Sequence, residues 1–266
     1  MRLPKVGDCL KKLVYGRYEK ALEKEVLSSR IPAHIAVIMD GNRRYASKIG
    51  EVSYRGHFYG AKVVENVLEW SLELGISQLT LYAFSIENFE RDDREKAEIF
   101  RLIGKKLDEL RKDERIHKNR VRISVIGDIH LLPTSLQEAV KRAEEATAGY
   151  DGMQLNIALA YSGRREIVCA LRKMAEEVKR GGLSPESITE ETLSEFLYQN
   201  KNVDHMIRTG GEIRTSNFLP WQASGSECTA SFIMPLWPEL RRIDFLRAIR
   251  TYQRCEAEKN PEDLSS

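Results

Sequence analysis

The chain has 266 residues, 42% of them hydrophobic, which suits one large domain or two small ones with a substantial core and argues against disorder. Against 42 Lys and Arg stand 40 Asp and Glu, and the formal charge of +2 is too small for a basic field that would hold nucleic acid by counterion release. Any anion site therefore has to be local. Four cysteines, Cys9, Cys169, Cys228 and Cys255, are scattered without CxxC spacing, which argues against a zinc cluster or a disulfide framework and fits a reducing compartment.

From Met1 to Glu25 the charges are interrupted only by isolated apolar residues, so neither a signal peptide nor a membrane anchor is expected, and the chain should stay in the cytosol. Leu10, Leu13, Val14, Tyr18, Leu22 and Leu27 fall three to four apart and predict a helix within an N-terminal extension, residues 1–30. Its polar face is mixed in sign, which favours packing on the domain over a membrane surface. Short apolar runs at Ile35 to Met39, Leu79 to Phe84, Val121 to Ile126, Leu155 to Ala160, Met206 to Ile207 and Ser231 to Met234 predict strands. Between them, helical spacing recurs at Val63, Val67, Trp70 and Leu74, at Ile99, Ile103 and Leu107, and at Ile167, Leu171, Met174 and Val178. Thr134 with Gln137 three residues on has the form of a capping box, and Gly181-Gly182 that of a helix stop. This alternation predicts an α/β fold, a central, mostly parallel six-stranded sheet flanked by helices. With no linker or internal repeat, one domain is expected over residues 31–256, followed by a flexible tail, 257–266.

Ligands of open parallel sheets bind beyond the carboxyl ends of the strands. Here those ends are unusually polar. The first strand runs into Asp40-Gly41-Asn42-Arg43-Arg44, the second into Ser85-Ile86-Glu87-Asn88, the fourth into Tyr161-Ser162-Gly163-Arg164-Arg165, and the fifth into the segment from Arg208 to Asn217. Glycine lets backbone N–H groups approach a phosphate, and arginine adds bidentate charge-assisted bonds. One aspartate at a strand end, with a second carboxylate such as Glu227, suits a magnesium ion that bridges diphosphate oxygens. Neither GxxxxGK[ST] nor GxGxxG occurs, so nucleotide binding lacks its usual support and the pattern points to diphosphate chemistry of another kind.

Each feature has a plainer explanation on its own. Asp40-Gly41-Asn42 could be a tight turn, Ser85 and Asn88 a helix cap, Arg208 and Arg214 ion-pair partners of Glu212, and His57 an ordinary helix-start residue. Trp221, Trp237 and Phe218 are expected in the core. Joint placement at strand ends favours function.

The blocks His34 to Arg44, Gly56-His57, Ser85 to Arg91 and Ile207 to Phe218 resemble those of the cis-prenyltransferases, the undecaprenyl and dehydrodolichyl diphosphate synthases, in order and from Ile31 to about Arg254. The resemblance implies a homodimer of α/β domains with an apolar tunnel through each, and isopentenyl diphosphate and an allylic prenyl diphosphate as substrates. Asp40 and Asn88 would be catalytic, and Asp40 and Glu227 would hold Mg²⁺. Gly41, Asn42, Arg43, Arg44, Tyr45, Ser53 and His57 would face the allylic diphosphate. Ser85, Ile86, Glu87, Phe89 and Arg91 would line the reacting ends, and Arg208, Arg214, Thr215 and Ser216 would grip isopentenyl diphosphate. Asn88, a weak base, would position the reactants and pass the proton to water or diphosphate. The extension before Ile31 and the Asn42-Arg43-Arg44 loop look archaeal or eukaryotic, and the archaeal branch implies geranylgeranyl diphosphate (or farnesyl diphosphate) as primer and a long-chain glycosyl carrier lipid precursor as product, released with transient contact at the membrane surface.

The chain also departs from the family pattern. Tyr45 and Phe89 stand where bacterial members usually carry Trp, Ser53 where Arg is usual with Arg55 as the candidate replacement, and Ile213 where His is common. Arg254-Cys255-Glu256 has Glu in place of the Gly of a C-terminal Arg-x-Gly motif. Two other readings stay open: a non-catalytic partner subunit, which typically loses the first-strand Asp and the arginine loop that this chain keeps, and a phosphosugar- or nucleotide-binding α/β protein.

Overall fold

The structure is a computed structural model that describes residues 6–224 and 228–259. Glu227 and tail residues 260–266 lie outside the described residues, whereas 257–259 close the last helix. In chain order the elements are α1 (Val6–Leu27), β1 (His34–Ile38), α2 (Asn42–Lys48), α3 (Arg55–Glu73), β2 (Gln78–Ser85), α4 (Asp93–Leu110), α5 (Glu114–Lys118), β3 (Val121–Ile126), α6 (Thr134–Thr147), β4 (Met153–Tyr161), α7 (Gly163–Arg180), α8 (Glu190–Phe196), β5 (His205–Arg208), β6 (Thr229–Phe232) and α9 (Arg242–Lys259).

The strands form one six-stranded sheet in the order β3-β4-β2-β1-β5-β6, and every pair is parallel. Parallel strands are covered on both faces, and their side chains alternate between them. In β1, Ile35 and Val37 enter the large core while Ala36 and Ile38 enter a second cluster with Tyr161, Met206 and Phe218. In that second cluster Tyr82 stacks on Phe218 with ring centroids 4.4 Å apart. The expected strands are all present, with ends that differ from the expected ones by at most two residues; β1 and β6 begin earlier and end earlier than expected, and β3 matches its expected bounds. Trp237 and Phe218 are buried as expected, whereas Trp221 is half-buried and donates from Nε1 to Ser194 Oγ at 2.9 Å.

The N-terminal helix packs on the domain: Leu22 and Val26 belong to the large core, and Arg242 of α9 meets Glu23 at 2.5 Å. Gly181 ends α7 in the left-handed region, φ 75°, as its sequence position predicts. Thr134 does not cap α6. Pro133 occupies the cap position, so Thr134 is the first helical residue and Gln137 Nε2 reaches the Leu132 carbonyl at 2.7 Å.

Candidate active site

The C-terminal ends of β1, β2, β4 and β5 open on one side of the sheet. Directly after β1, Asp40 is followed by Gly41 with φ 110°, where an added Cβ would stand 2.9 Å from Leu236 Cβ. Only glycine turns the chain so sharply here without strain. On α3, a Cβ on Gly56 would lie 1.9 Å from the Asn42 carbonyl oxygen and one on Gly60 2.2 Å from Asn42 Oδ1. Two glycines thus let α3 lie directly on α2 and bring His57 beside Asn42 and Arg43.

Asp40 is bracketed by guanidinium groups. Arg208 Nη2 donates to Oδ2 at 2.8 Å, and Arg44 Nη2 stands 3.2 Å from Oδ1. Arg208 is 4% exposed, and its Nη1 donates to the Arg214 carbonyl at 2.5 Å and to Ser216 Oγ at 2.6 Å, while its Nε finds no acceptor. Arg44 Nη1 donates to the Gly210 carbonyl at 2.7 Å. Thr209 Oγ1 and the Trp237 N–H donate to the Asp40 carbonyl at 2.7 and 2.9 Å and fix the backbone that carries the carboxylate.

Ser216 and Asn217 sit in the left-handed region, φ 49° and 59°, an uncommon conformation for residues with a Cβ that costs energy and tends to mark functional loops. Asn217 holds this loop to the start of α7: its Nδ2 donates to Ser162 Oγ at 2.8 Å and its Oδ1 accepts the Arg164 N–H at 3.0 Å.

Beyond β2, the Ser85 N–H donates to Asn88 Oδ1 at 3.2 Å, so these residues shape the turn as a reciprocal cap while both still line the cavity. A cluster centred on Glu95 joins this turn to α2 and α3. Glu95 is 6% exposed; it accepts from Arg91 Nη1 at 3.1 Å and from Ser53 Oγ at 3.1 Å, with Arg43 Nε at 3.7 Å and His57 Nε2 at 3.6 Å. His57 first, then Arg91, Arg43 and Ser53, hold its carboxyl down at about 2 against the opposing effect of burial. Burial lowers His57 below its ordinary value and keeps the imidazole neutral near pH 7, with the Glu95 contact working against that shift.

These edges surround a cavity of about 1200 Å³. Its lining includes Asp40, Gly41, Asn42, Arg43, Arg44, Ser53, His57, Ser85, Glu87, Asn88, Arg91, Arg208, Arg214 and Ser216, all singled out from the sequence. It also includes apolar side chains of α3, β2 and α4, among them Val64, Leu81, Ile99, Leu102 and Leu107. The polar part carries six arginines, the five at positions 43, 44, 91, 208 and 214 together with Arg164, against the carboxylates of Asp40 and Glu87, so it favours a multiply charged anion.

Four expected residues are not on that lining. Phe89 stacks edge-on against Phe84 at 5.1 Å and, like Ile86, packs on the core, because the short helical turn after β2 directs both inward. Tyr45 meets Tyr59 at 5.4 Å, and Thr215 is exposed, its carbonyl accepting the Phe218 N–H at 3.1 Å. Arg55 is also off the lining: it turns to Glu51 at 3.2 Å, while Ser53 keeps its place on the cavity. Arg214 pairs with Glu212 at 3.3 Å, the plainer role considered for it, yet lines the cavity as well. Glu95 and Asn217 were not foreseen as site residues. Asn217 closes a segment that the sequence marks as a polar strand end, but Glu95 lies in a charged run, 91–98, that reads as a solvated helix face.

A divalent cation fits this chemistry. Mg²⁺ commonly takes one or two carboxylates plus phosphate oxygens, and the Asp40 side chain is 29% exposed on the cavity with lone pairs left over after its two guanidinium contacts. No cluster of three or more His, Cys, Asp or Glu capable of caging a metal occurs among the described residues.

An anion cradle at the strand ends of a parallel sheet, opening on an apolar cavity, defines an α/β enzyme built for a ligand that is charged at one end and greasy along the rest. The chain belongs to the cis-prenyltransferases: the family model described as "Putative undecaprenyl diphosphate synthase" matches residues 38–259. It is a transferase of prenyl groups. It is 50% identical over 253 residues to the tritrans,polycis-undecaprenyl-diphosphate synthase (geranylgeranyl-diphosphate specific) of Methanosarcina mazei, covering 93% of this chain and 85% of that one. The protein of the same name from Archaeoglobus fulgidus is 49% identical over 239 residues, with 89% and 94% covered. Among solved structures, lavandulyl diphosphate synthase from Lavandula x intermedia in complex with dimethylallyl diphosphate superposes with a TM-score of 0.78 at 33% identity, over 84% of this chain and 95% of that one.

Proposed function

We propose that the chain condenses isopentenyl diphosphate repeatedly with an allylic diphosphate primer, geranylgeranyl diphosphate by preference, to give a long Z-polyprenyl diphosphate that serves as precursor of a glycosyl carrier lipid. The observation that carries this reading is the joining of a six-arginine rim to an apolar interior in one cavity of about 1200 Å³. The names of the archaeal relatives support the primer and the product class.

In this reading Gly41, Asn42, Arg43 and Arg44 cradle the allylic diphosphate at the start of α2, with His57 and Ser53 beside them. Arg208, Arg214 and Ser216 hold isopentenyl diphosphate, and the bonds among them fix its position before reaction. Mg²⁺ held by Asp40, with Glu227 as its second carboxylate, would stabilise the charge that develops on the departing diphosphate. Loss of that diphosphate leaves an allylic cation, which the double bond of isopentenyl diphosphate attacks. The proton then lost leaves a new cis double bond. Asn88 positions the reacting ends, and water or diphosphate takes the proton. The apolar interior receives the lengthening hydrocarbon and keeps water from the cation. The same reading takes the protein as a homodimer that meets the membrane surface when product leaves; no helix among the described residues is long and apolar enough to cross a membrane.

The test is incubation of the purified protein alone with Mg²⁺, labelled isopentenyl diphosphate and, in separate reactions, geranylgeranyl, farnesyl or no primer. Label in the butanol phase, greatest with geranylgeranyl diphosphate, is expected. Absence of label with every primer would remove the catalytic reading and leave that of a non-catalytic partner subunit.

A further inference from the structure

The loop that follows β5, residues 210–217, is tied down at two places. At its start the Gly210 and Gly211 N–H groups donate to the Pro235 and Ile233 carbonyls at 2.8 and 2.9 Å, just beyond β6. At its far end it is tied to α7 through Asn217. Besides the bonds of the Asn217 side chain to Ser162 and Arg164, the Asn217 carbonyl accepts the Gly163 N–H at 3.0 Å.

The start of α7 is shaped for this contact. Ser162 stands at the cap position, where a serine hydroxyl ordinarily accepts an N–H from the first turn, yet it makes no such bond and accepts from Asn217 Nδ2 instead. Asn217 supplies the missing acceptors, its carbonyl for Gly163 and its Oδ1 for Arg164, two of the N–H groups that a helix leaves without partners in its first turn. A Cβ on Gly163 would stand 2.1 Å from Pro220 Cδ and 2.8 Å from the Asn217 carbonyl oxygen, so only glycine admits the loop this close. Helix and loop thus complete each other's hydrogen bonds at the cavity, which Ser162, Arg164 and Asn217 all line.

The two anchors serve different sides of the site. The Gly210 carbonyl accepts from Arg44, on the allylic side, whereas Ser216 Oγ and the Arg214 carbonyl, at the far end, accept from Arg208 Nη1. Ser216, Asn217 and Leu219 all stand in the left-handed region, with φ of 49°, 59° and 48°, a run that residues with a Cβ adopt only when their surroundings hold them there. Cutting the tether to α7 lets this end of the loop relax and takes both acceptors away from Arg208.

We propose that Asn217 is a positioning residue for isopentenyl diphosphate. By capping α7 from the facing loop, it holds Ser216 and the Arg214 carbonyl where Arg208 meets both. It sets the affinity for that substrate and leaves the allylic side to the Gly210 anchor. This rests on the reading that Arg208, Arg214 and Ser216 hold isopentenyl diphosphate.

The experiment measures, for the first condensation by the purified protein with Mg²⁺, the KM for isopentenyl diphosphate and the KM for the primer, each with the other substrate saturating. Wild type is compared with Asn217→Gly, Ser162→Ala and Arg208→Ala. Asn217→Gly removes the side-chain bonds while a glycine still accepts a φ of 59°, so it separates the bonds from the backbone conformation. It is expected to raise the KM for isopentenyl diphosphate at least about tenfold, and Ser162→Ala, which cuts one bond, about threefold, with the KM for the primer within about twofold of wild type in both. Lost stability alone lowers the active fraction, hence kcat, without this split. A wild-type KM for isopentenyl diphosphate in Asn217→Gly overturns the proposal, as does an equal rise in both KM values. A wild-type value in Ser162→Ala beside a raised one in Asn217→Gly overturns it as well, because Asn217 then acts on the substrate directly and not through α7. Arg208→Ala tests the underlying reading. An unchanged KM for isopentenyl diphosphate there, or a wild type without product, removes that reading and this inference with it, whereas a raised value with both loop and helix variants at wild type removes the Asn217 inference alone.

Discussion

At the scale of single residues, Asp40 carries two loads that substitution can separate. Its carboxylate accepts from Arg208, whose guanidinium is almost fully buried, and it faces the cavity where leaving-group charge would develop. Asp40→Ala therefore removes a transition-state contact and also strips a buried cation of one partner. An unsatisfied buried group of that kind costs about 1–3 kcal/mol, although Ser216 and the Arg214 carbonyl still engage the other arm. Asp40→Asn keeps an acceptor oxygen for Arg208 while removing the charge. Both variants are expected to lose turnover by roughly 10²-fold or more, whereas only Asp40→Ala should show a clear fall in melting temperature. Steady-state rates and thermal unfolding of the two side by side check this. An asparagine variant with near-normal turnover would refute the assigned role of the carboxylate.

At the scale of elements, the sheet was legible because its inner strands, buried largely on both faces, appear as mostly apolar runs, while the edge strands β3 and β6, partly exposed, still carry enough apolar residues to be located, all six to within two residues. The helices were equally legible where their apolar side repeats every three or four residues. Caps were less so: Thr134 with Gln137 has the right letters, but Pro133 before it takes the cap position, and Ser85 and Asn88 supply the reciprocal cap instead. The arginine-rich strand ends identified most of the cavity rim. Glu95 and Lys106 escaped because each lies in a charged helical stretch, and only the packing of α3 against α4 turns one toward the site and the other onto the cavity wall. The N-terminal helix shows the same dependence on packing. Its spacing predicted a helix, but its contribution is decided by α9, against which Leu22 and Val26 are buried at 1% and 0% exposure. Leu22→Ala should destabilise the whole protein by about 2–5 kcal/mol, the usual cost of a core leucine truncated to alanine. Urea unfolding reads this directly. A change below about 0.5 kcal/mol would mean that α1 is an appendage and no part of the core.

At the scale of the whole molecule, stability should depend on pH through histidines that the fold buries in their neutral form. His34, at the start of β1, places Nδ1 2.8 Å from the Asn202 carbonyl and Nε2 2.7 Å from Thr80 Oγ1, and His205, at the start of β5, sets Nδ1 2.6 Å from Thr229 Oγ1. Burial pushes each from an ordinary 6.5 down to about 4, and His57 moves in the same direction for the same reason. The folded state thus refuses protons that the unfolded chain accepts. Stability from these groups is complete above pH 6.5 and is lost as pH falls from there toward 4, below which the folded histidines protonate too and the loss levels off. A drop from 6.5 to about 4 corresponds to roughly 3 kcal/mol for each of His34 and His205, so together roughly 6 kcal/mol. Set against the 5–15 kcal/mol typical of a folded protein, that is enough to bring unfolding close to pH 4. Glu95 adds a second, lower window: its carboxyl is depressed, so its contribution holds above its ordinary 4.5 and disappears as pH falls through about 2. Urea unfolding measured at intervals from pH 7 to 4 should therefore show a falling free energy, and His205→Gln, which cannot titrate, should remove roughly half of the fall. If the variant follows the wild-type curve throughout that range, the loss belongs to other groups and the buried-histidine account is wrong.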